Sequence, residues 1–310
     1  MLKYFIRRLL SMILVVLIVA SATFFLMRFL PSGPFSREKA LPAAVVKNLE
    51  ARYHMDQPLW KQYLSYIGNL LHGDLGPSFK YKNRTVNSII ADGFPVSATL
   101  GAVAVALAVL IGIPLGIWGA LRQNGWQDNF VMFLALLGVS VPNFIMAVLL
   151  MLVFALGLHL VPAAGWGSVK QVILPAFTLA GYPIAFIARL VRSSMLEVLR
   201  QEYITTARAK GLSERLVIFR HALRNILIPV VTVLGPLIAA VFTGSFVVEK
   251  IFAIPGLGRY YVTSINDRDY TTICGVTIFY SALLVFMNFL VDLTYAWLDP
   301  RIRYVERKVS

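Results

Sequence analysis

The chain has 310 residues, is 58% hydrophobic and only 14% charged, and carries a net charge of +14. A soluble domain carries about a quarter charged residues; here the apolar residues instead gather into blocks of about twenty, which as helix cross a hydrocarbon layer of roughly 30 Å. That excludes an ordinary soluble protein, and the lack of strand-type alternation excludes a β-barrel. The expected class is an all-α polytopic membrane protein, since only a helix satisfies its own backbone polar groups in lipid. The basic residues flank the apolar blocks, so the positive charge reads as membrane orientation and no nucleic acid is expected.

In chain order, a short basic start, MLKYFIRR, leads into an apolar run from Leu9 to Leu30. Basic head, apolar body and Ala20-Ser21-Ala22 fit a cleavable signal peptide. The run continues through Thr23-Phe24-Phe25-Leu26-Met27, which favours an uncleaved first helix, so residues 1–30 form the first domain segment. Residues 31–95 differ in kind, with Pro31, Pro34, Pro42, Asp56-Gln57-Pro58 and Gly73-Asp74-Leu75-Gly76-Pro77. Helical apolar spacing over Pro42–Tyr53 and Leu59–Leu71 predicts two short helices on one face of the membrane.

Residues 96–304 form the core, with five further spans expected over Val96–Leu121, Phe130–Leu160, Val172–Val191, Ile226–Val248 and Thr272–Leu298. Gly112-Ile113-Pro114, Val141-Pro142-Asn143 and Gly181-Tyr182-Pro183 interrupt them, which predicts a packed bundle with kinked helices. Six spans place both termini on one side, with residues 305–310 as a short tail. The basic residues choose that side. Lys3, Arg7 and Arg8, then Arg122, the loop from Arg189 to Arg224, and the tail Arg301, Arg303, Arg307 and Lys308 fall together, against Lys170, Lys250, Arg259 and Arg268 opposite. By the positive-inside rule both termini are cytoplasmic and residues 31–95 face outward.

Several chemistries lack their residues. No lysine follows a glycine, so the phosphate-binding Gly-Lys-Ser/Thr signature is absent and ATP would have to be bound elsewhere. The histidines His54, His72, His159 and His221 are scattered, and Cys274 has no second cysteine to pair with. No metal site, catalytic residue or cofactor is expected in this chain.

The cytoplasmic loop 193–225 carries the strongest signal. Helix-favouring, small-residue-rich sequence runs from Glu202 to Lys210, Gly211 sits where a helix ends in a left-handed residue, and Ser213 is placed to cap a second helix with its hydroxyl. Leu216, Phe219 and Leu223 form an apolar stripe against Arg215, Arg220 and Arg224. This predicts a helix–turn–helix on the membrane surface, with the stripe on the bundle and small residues at the turn open to a partner. The plainer alternative is a solvated, lipid-facing anchor.

The segment Thr205-Thr-Ala-Arg-Ala-Lys-Gly-Leu212, followed by Arg220-His-Ala-Leu-Arg224, resembles the cytoplasmic loop of ABC-importer permeases, and specifically the peptide-type form. Aligned on Gly211, the family's Glu-Ala-Ala falls on Thr205, Thr206 and Ala207, of which only the last matches. Three further segments resemble the oligopeptide-permease B subunit in particular: Phe5-Ile-Arg-Arg8, Gly73-Asp-Leu-Gly-Pro-Ser-Phe-Lys-Tyr81 and Leu298-Asp-Pro-Arg-Ile-Arg-Tyr304. The outward loop Gly244–Gly258 with Arg268-Asp269-Tyr270 is similar to that of the same permeases, whereas dipeptide and nickel relatives differ around Pro77-Ser78-Phe79.

The resemblance implies a type I ABC-importer permease fold in a bacterial inner membrane. It also implies a homologous second permease, two ATP-binding subunits that carry ATP and magnesium, and an extracytoplasmic peptide-binding protein. It assigns coupling to Glu202, Thr206, Ala207, Arg208, Lys210, Gly211 and Leu212. Asn143, Tyr182 and Asp292 are candidates for the translocation path, because polar groups within spans are functional candidates. For each, a packing, kink or interhelical hydrogen-bond role is the alternative. Dipeptide, nickel or other peptide-like cargo, and a stand-alone secondary carrier, are the rival functions; a carrier would normally show an internal repeat or intramembrane carboxylates.

Overall fold

The computed structural model describes residues 2–30, 33, 47–48, 51, 55–243 and 246–298, with residues 2–4, 243 and 291–298 described by backbone alone. The helix expected over Pro42–Tyr53, the dipeptide Gly244-Ser245 and the tail from Asp299 lie outside the described residues. What is described is helical: α1 Leu2–Phe29, α2 Leu59–Leu71, α3 Val86–Leu121, α4 Trp126–Ser140, α5 Asn143–Leu150, α6 Val169–Val198 and α7 Glu202–Ala209, then α8 Glu214–Leu216, α9 Leu223–Thr243, α10 Phe246–Ile251, α11 Leu257–Asp267 and α12 Tyr270–Leu298. Five of the described stretches are each long and apolar enough to cross a membrane, and α4 with α5 and its π-helical continuation Met151–Gly157, bent by 111°, gives a sixth if the pair is one span.

The bend has a local cause. Val141 is extended (φ −85°, ψ 117°), as a residue before proline prefers, and α5 starts afresh at Asn143. The expected interruptions at Pro114 and Pro183 do not occur: both prolines ride inside continuous helices, as do Pro229 and Pro236. In a bundle, neighbouring helices and local adjustment re-satisfy the carbonyls a proline frees, so a proline alone does not break a span. The loop expected from Arg189 also starts later, since α6 stays helical to Val198.

The residues divide into two compact units, Met1–Val96 with Pro255–Phe286, and Ser97–Ile254 with Met287–Ser310. In the first, α2 packs on the last turns of α1: Tyr63 OH meets Ser21 Oγ at 2.6 Å, and the Tyr66 and Phe24 rings stack at 5.1 Å. The turn Gly73–Pro77 is possible because Gly73 and Gly76 both take positive φ (76° and 85°). Asn87 clamps that turn, accepting from Leu75 N at 2.9 Å and donating to Gly73 O at 2.6 Å.

Asp269 is the polar centre of this unit. It is 1% exposed and its carboxylate accepts from Ser78 Oγ, Phe79 N at 3.0 Å, and Thr272 N and Oγ1 at 3.2 and 2.7 Å. A buried carboxylate is tolerable only when hydrogen-bonded this fully. Asp269 thereby ties the segment Gly73–Tyr81 to the start of α12.

In the second unit the buried cluster joins Ala108 and Ala120 of α3, Ile187, Val191 and Met195 of α6, Ile204 and Ala207 of α7, and Val217, Ala222, Ile226 and Val230 beyond. Close approach of α3 to α6 depends on glycine. A Cβ on Gly116 would stand 2.6 Å from Ala188 O, and one on Gly112 3.0 Å from the Ile187 side chain. Small residues at such crossings let helix backbones meet where lipid supplies no hydrophobic drive.

Candidate functional site: the cytoplasmic two-helix segment and a proline-lined cleft

The segment after α6 is a turn held from below. In α7, Ile204 and Ala207 are 0% and 5% exposed and sit in the buried cluster, while Glu202, Thr205, Thr206, Arg208, Ala209, Lys210 and Gly211 are exposed. The helix closes in a complete Schellman motif. Lys210 is the cap, Gly211 takes φ +78°, Gly211 N donates to Arg208 O at 2.9 Å, and Leu212 N donates to Ala207 O at 3.3 Å. Leu212 packs against the cluster, as the hydrophobic contact of that motif requires. The seven coupling candidates thus divide, Ala207 and Leu212 anchoring the turn and the other five facing out.

Arg208 bridges the turn to Glu214, Nε to Oε1 at 2.8 Å and Nη2 to Oε2 at 3.3 Å. Both side chains are exposed, so this pair contributes little stability. Asn225 Nδ2 donates to Tyr203 OH at 2.6 Å, joining the two arms again.

The second arm differs from the sequence expectation in two ways. Ser213 occupies the N-cap position but makes no side-chain capping bond. The stripe Leu216, Phe219 and Leu223 does not face the bundle: Leu216 and Phe219 are 38% and 68% exposed, and Val217, Ala222 and Ile226 are buried instead. The reason is helical phase. Val217–Ala222 is π-helical, and its wider turn puts residues five apart on one face. Phe219 and Leu216 are left on the outer surface, beside the exposed turn.

The same unit contains a charge pair that spacing did not reveal. Asp128, 2% exposed in the first turn of α4, accepts a bidentate fork from Arg192 of α6, Nε to Oδ1 at 2.5 Å and Nη2 to Oδ2 at 2.6 Å. It also accepts from Asn124 N at 2.9 Å. Arg192 is ten residues before α7, so this fork fixes α4 to the stem of the two-helix segment. The only sign in the sequence was an acidic residue just before one apolar run and a basic residue just after another, and nothing in their spacing says that they meet.

Two of the three path candidates meet in one place. A cleft of about 670 Å³ is lined by Val141, Pro142 and Asn143 at the bend, Tyr182, Pro183 and Phe186 of α6, and Thr232 and Pro236 of α9. Tyr182 is 45% exposed and stacks on Phe186 at 6.1 Å. The walls are mainly apolar with isolated polar groups. Asp292 lies in α12, and its side chain is outside the described residues. Among the described residues no group of histidine, cysteine and carboxylates could hold a metal.

Residues 112–304 match the family model of the binding-protein-dependent transport system inner membrane component, and residues 1–101 match the model of its N-terminal region. The chain belongs to this family. It is 53% identical to the dipeptide transport system permease protein DppB of Bacillus subtilis over 98% of both chains. It is 48% identical to the oligopeptide transport system permease protein OppB of Salmonella typhimurium, over 98% of this chain and all of that one. Among solved structures, the inward-facing MetNI methionine ABC transporter aligns with TM-score 0.56 and 16% identity over 68% of this chain and 96% of that one. An amino acid ABC transporter aligns with TM-score 0.54 and 14% identity, over 67% and 93%. Those likenesses establish the fold of a type I ABC-importer permease. As a family member the chain is a membrane-embedded transport subunit and not itself an enzyme.

Proposed function

We propose that this chain is one permease of an ATP-driven importer of peptides. Its partners are a homologous second permease, two ATPases that bind ATP and magnesium, and an extracytoplasmic peptide-binding protein. The observation that carries the coupling role is the turn at Gly211. Its outer face presents Thr206, Arg208, Lys210 and Gly211, while Ala207 and Leu212 root it in the α3–α6 cluster. A rooted turn that exposes Gly211 and Thr206 beside two basic side chains suits a groove on a partner, and a push on it reaches α6 directly and α4 through Arg192 and Asp128. Peptide cargo is supported by the full-length similarity to one permease named for dipeptides and another named for oligopeptides.

Both termini lie in the cytoplasm, as the distribution of basic residues favours, and the membrane is the bacterial inner membrane. Asn143 and Tyr182 line part of the path, in a cleft whose mostly apolar walls suit a weakly selective conduit. Selectivity then rests with the binding protein. Extraction of the tagged chain from its native membrane and mass spectrometry of what accompanies it test the assembly. Two nucleotide-binding subunits and a second permease are expected; recovery of the chain alone would favour a stand-alone carrier.

A further inference from the structure

In the first unit Arg28 pairs with no carboxylate among the described residues. Arg28, in the last turn of α1, donates from Nε to Gln62 Oε1 at 3.0 Å, and its guanidinium carbon lies 4.8 Å from the centre of the Phe24 ring. A guanidinium has five N–H donors, and among the described residues its two terminal nitrogens bond to nothing and pair with no carboxylate. Gln62 is itself pinned, donating from Nε2 to Met55 O at 3.0 Å and to Gln57 O at 2.8 Å. Its Oε1 therefore holds the guanidinium in one orientation.

Arg28 lines a cavity of about 500 Å³ whose other walls include Phe24, Tyr66, Asn69, Asp74 and Phe79. Among the described residues the Tyr66 hydroxyl is covered and has no hydrogen-bond partner; burial pushes this phenol up, so it stays protonated. Asp74 uses Oδ1 to accept from Gly76 N at 2.9 Å, and among the described residues Oδ2 accepts no bond. Among the described residues the cavity thus offers free guanidinium donors for an oxyanion, together with the Asp74 carboxylate for a cation.

The surface beside the cavity identifies the source of that partner. On α2, Trp60, Leu64 and Leu71 lie on one face and are 63%, 61% and 75% exposed, and on α1 Leu26 and Phe29 are 63% and 73% exposed. An amphipathic helix with an exposed tryptophan is the form that rests at the membrane–water interface. These side chains give acyl chains a bed next to a headgroup-sized cavity. We propose that this cavity binds one zwitterionic phospholipid, with its phosphate on Arg28 and its ammonium on Asp74.

The test is native mass spectrometry of the full chain with its partner subunits, stripped of lipid and given equal amounts of phosphatidylethanolamine and phosphatidylglycerol. Wild type is expected to retain phosphatidylethanolamine preferentially. Arg28→Gln removes charge-assisted hydrogen bonds and lowers retention about tenfold or more, while Arg224→Gln, on the two-helix segment, leaves it unchanged. Asp74→Asn, on an exposed turn that it does not help to bury, abolishes the preference between the two lipids and provides the test should Arg28→Gln misfold. Equal retention of both lipids by wild type, or full retention by both cavity variants, overturns the proposal. Displacement of the lipid by a dipeptide, or binding of free phosphoethanolamine as tight as that of the lipid, also overturns it by assigning the site to a soluble zwitterion.

Discussion

Two buried carboxylates each fix a local geometry, and they do so by opposite means. Asp269 is satisfied by hydroxyl and backbone donors and ties together two segments far apart in sequence. Asp128 is satisfied by an arginine fork between two membrane helices. Removing one member of a buried ion pair leaves the other charge uncompensated, which costs about 3–5 kcal/mol; with Arg192 about a fifth exposed, the lower end applies. Asp128→Asn is therefore expected to lower the thermal midpoint of the detergent-solubilised protein, and Asp128→Asn with Arg192→Gln to recover part of the loss. Neither role was legible in the sequence, because spacing does not say which charges within two distant helices will meet. Gly211 was legible, because its requirement for positive φ is local; Leu212, expected among the coupling residues, proved an anchor only once its packing was seen.

At the scale of elements, glycine and proline act through their neighbours. Gly116 sits against the α6 backbone, so Gly116→Val is expected to cost about 1–3 kcal/mol by overpacking. Gly181, which meets nothing within 4 Å, should accept alanine without loss. Parallel measurements of the unfolding midpoint of the two variants separate a packing role from a general helical one. The apolar blocks matched the number of candidate spans because length and hydropathy follow from the bilayer. Their starts were less exact, since α3 begins at Val86, ten residues before the expected Val96 and within the segment 31–95 read as extracytoplasmic. Where they failed, tertiary context decided. Pro142 breaks a span while Pro114 and Pro183 do not, and one π-helical stretch rotates Phe219 out and Val217 in. Periodicity read at 3.6 residues per turn has no means of anticipating an inserted residue.

At the scale of the whole molecule, the all-helical membrane class follows from composition, and the permease fold from motifs spread along the chain. The central claim is that force enters at the turn of Gly211 and reaches the membrane helices through the buried cluster. The most direct test places the chain with its partner subunits in vesicles and measures peptide uptake and ATP hydrolysis together. Gly211→Val, which strains a left-handed position, is expected to keep membrane insertion and ATP hydrolysis but lose most of the uptake per ATP. Gly211→Asn, which tolerates that conformation, should stay near wild type. Uptake per ATP unchanged in Gly211→Val would contradict the account.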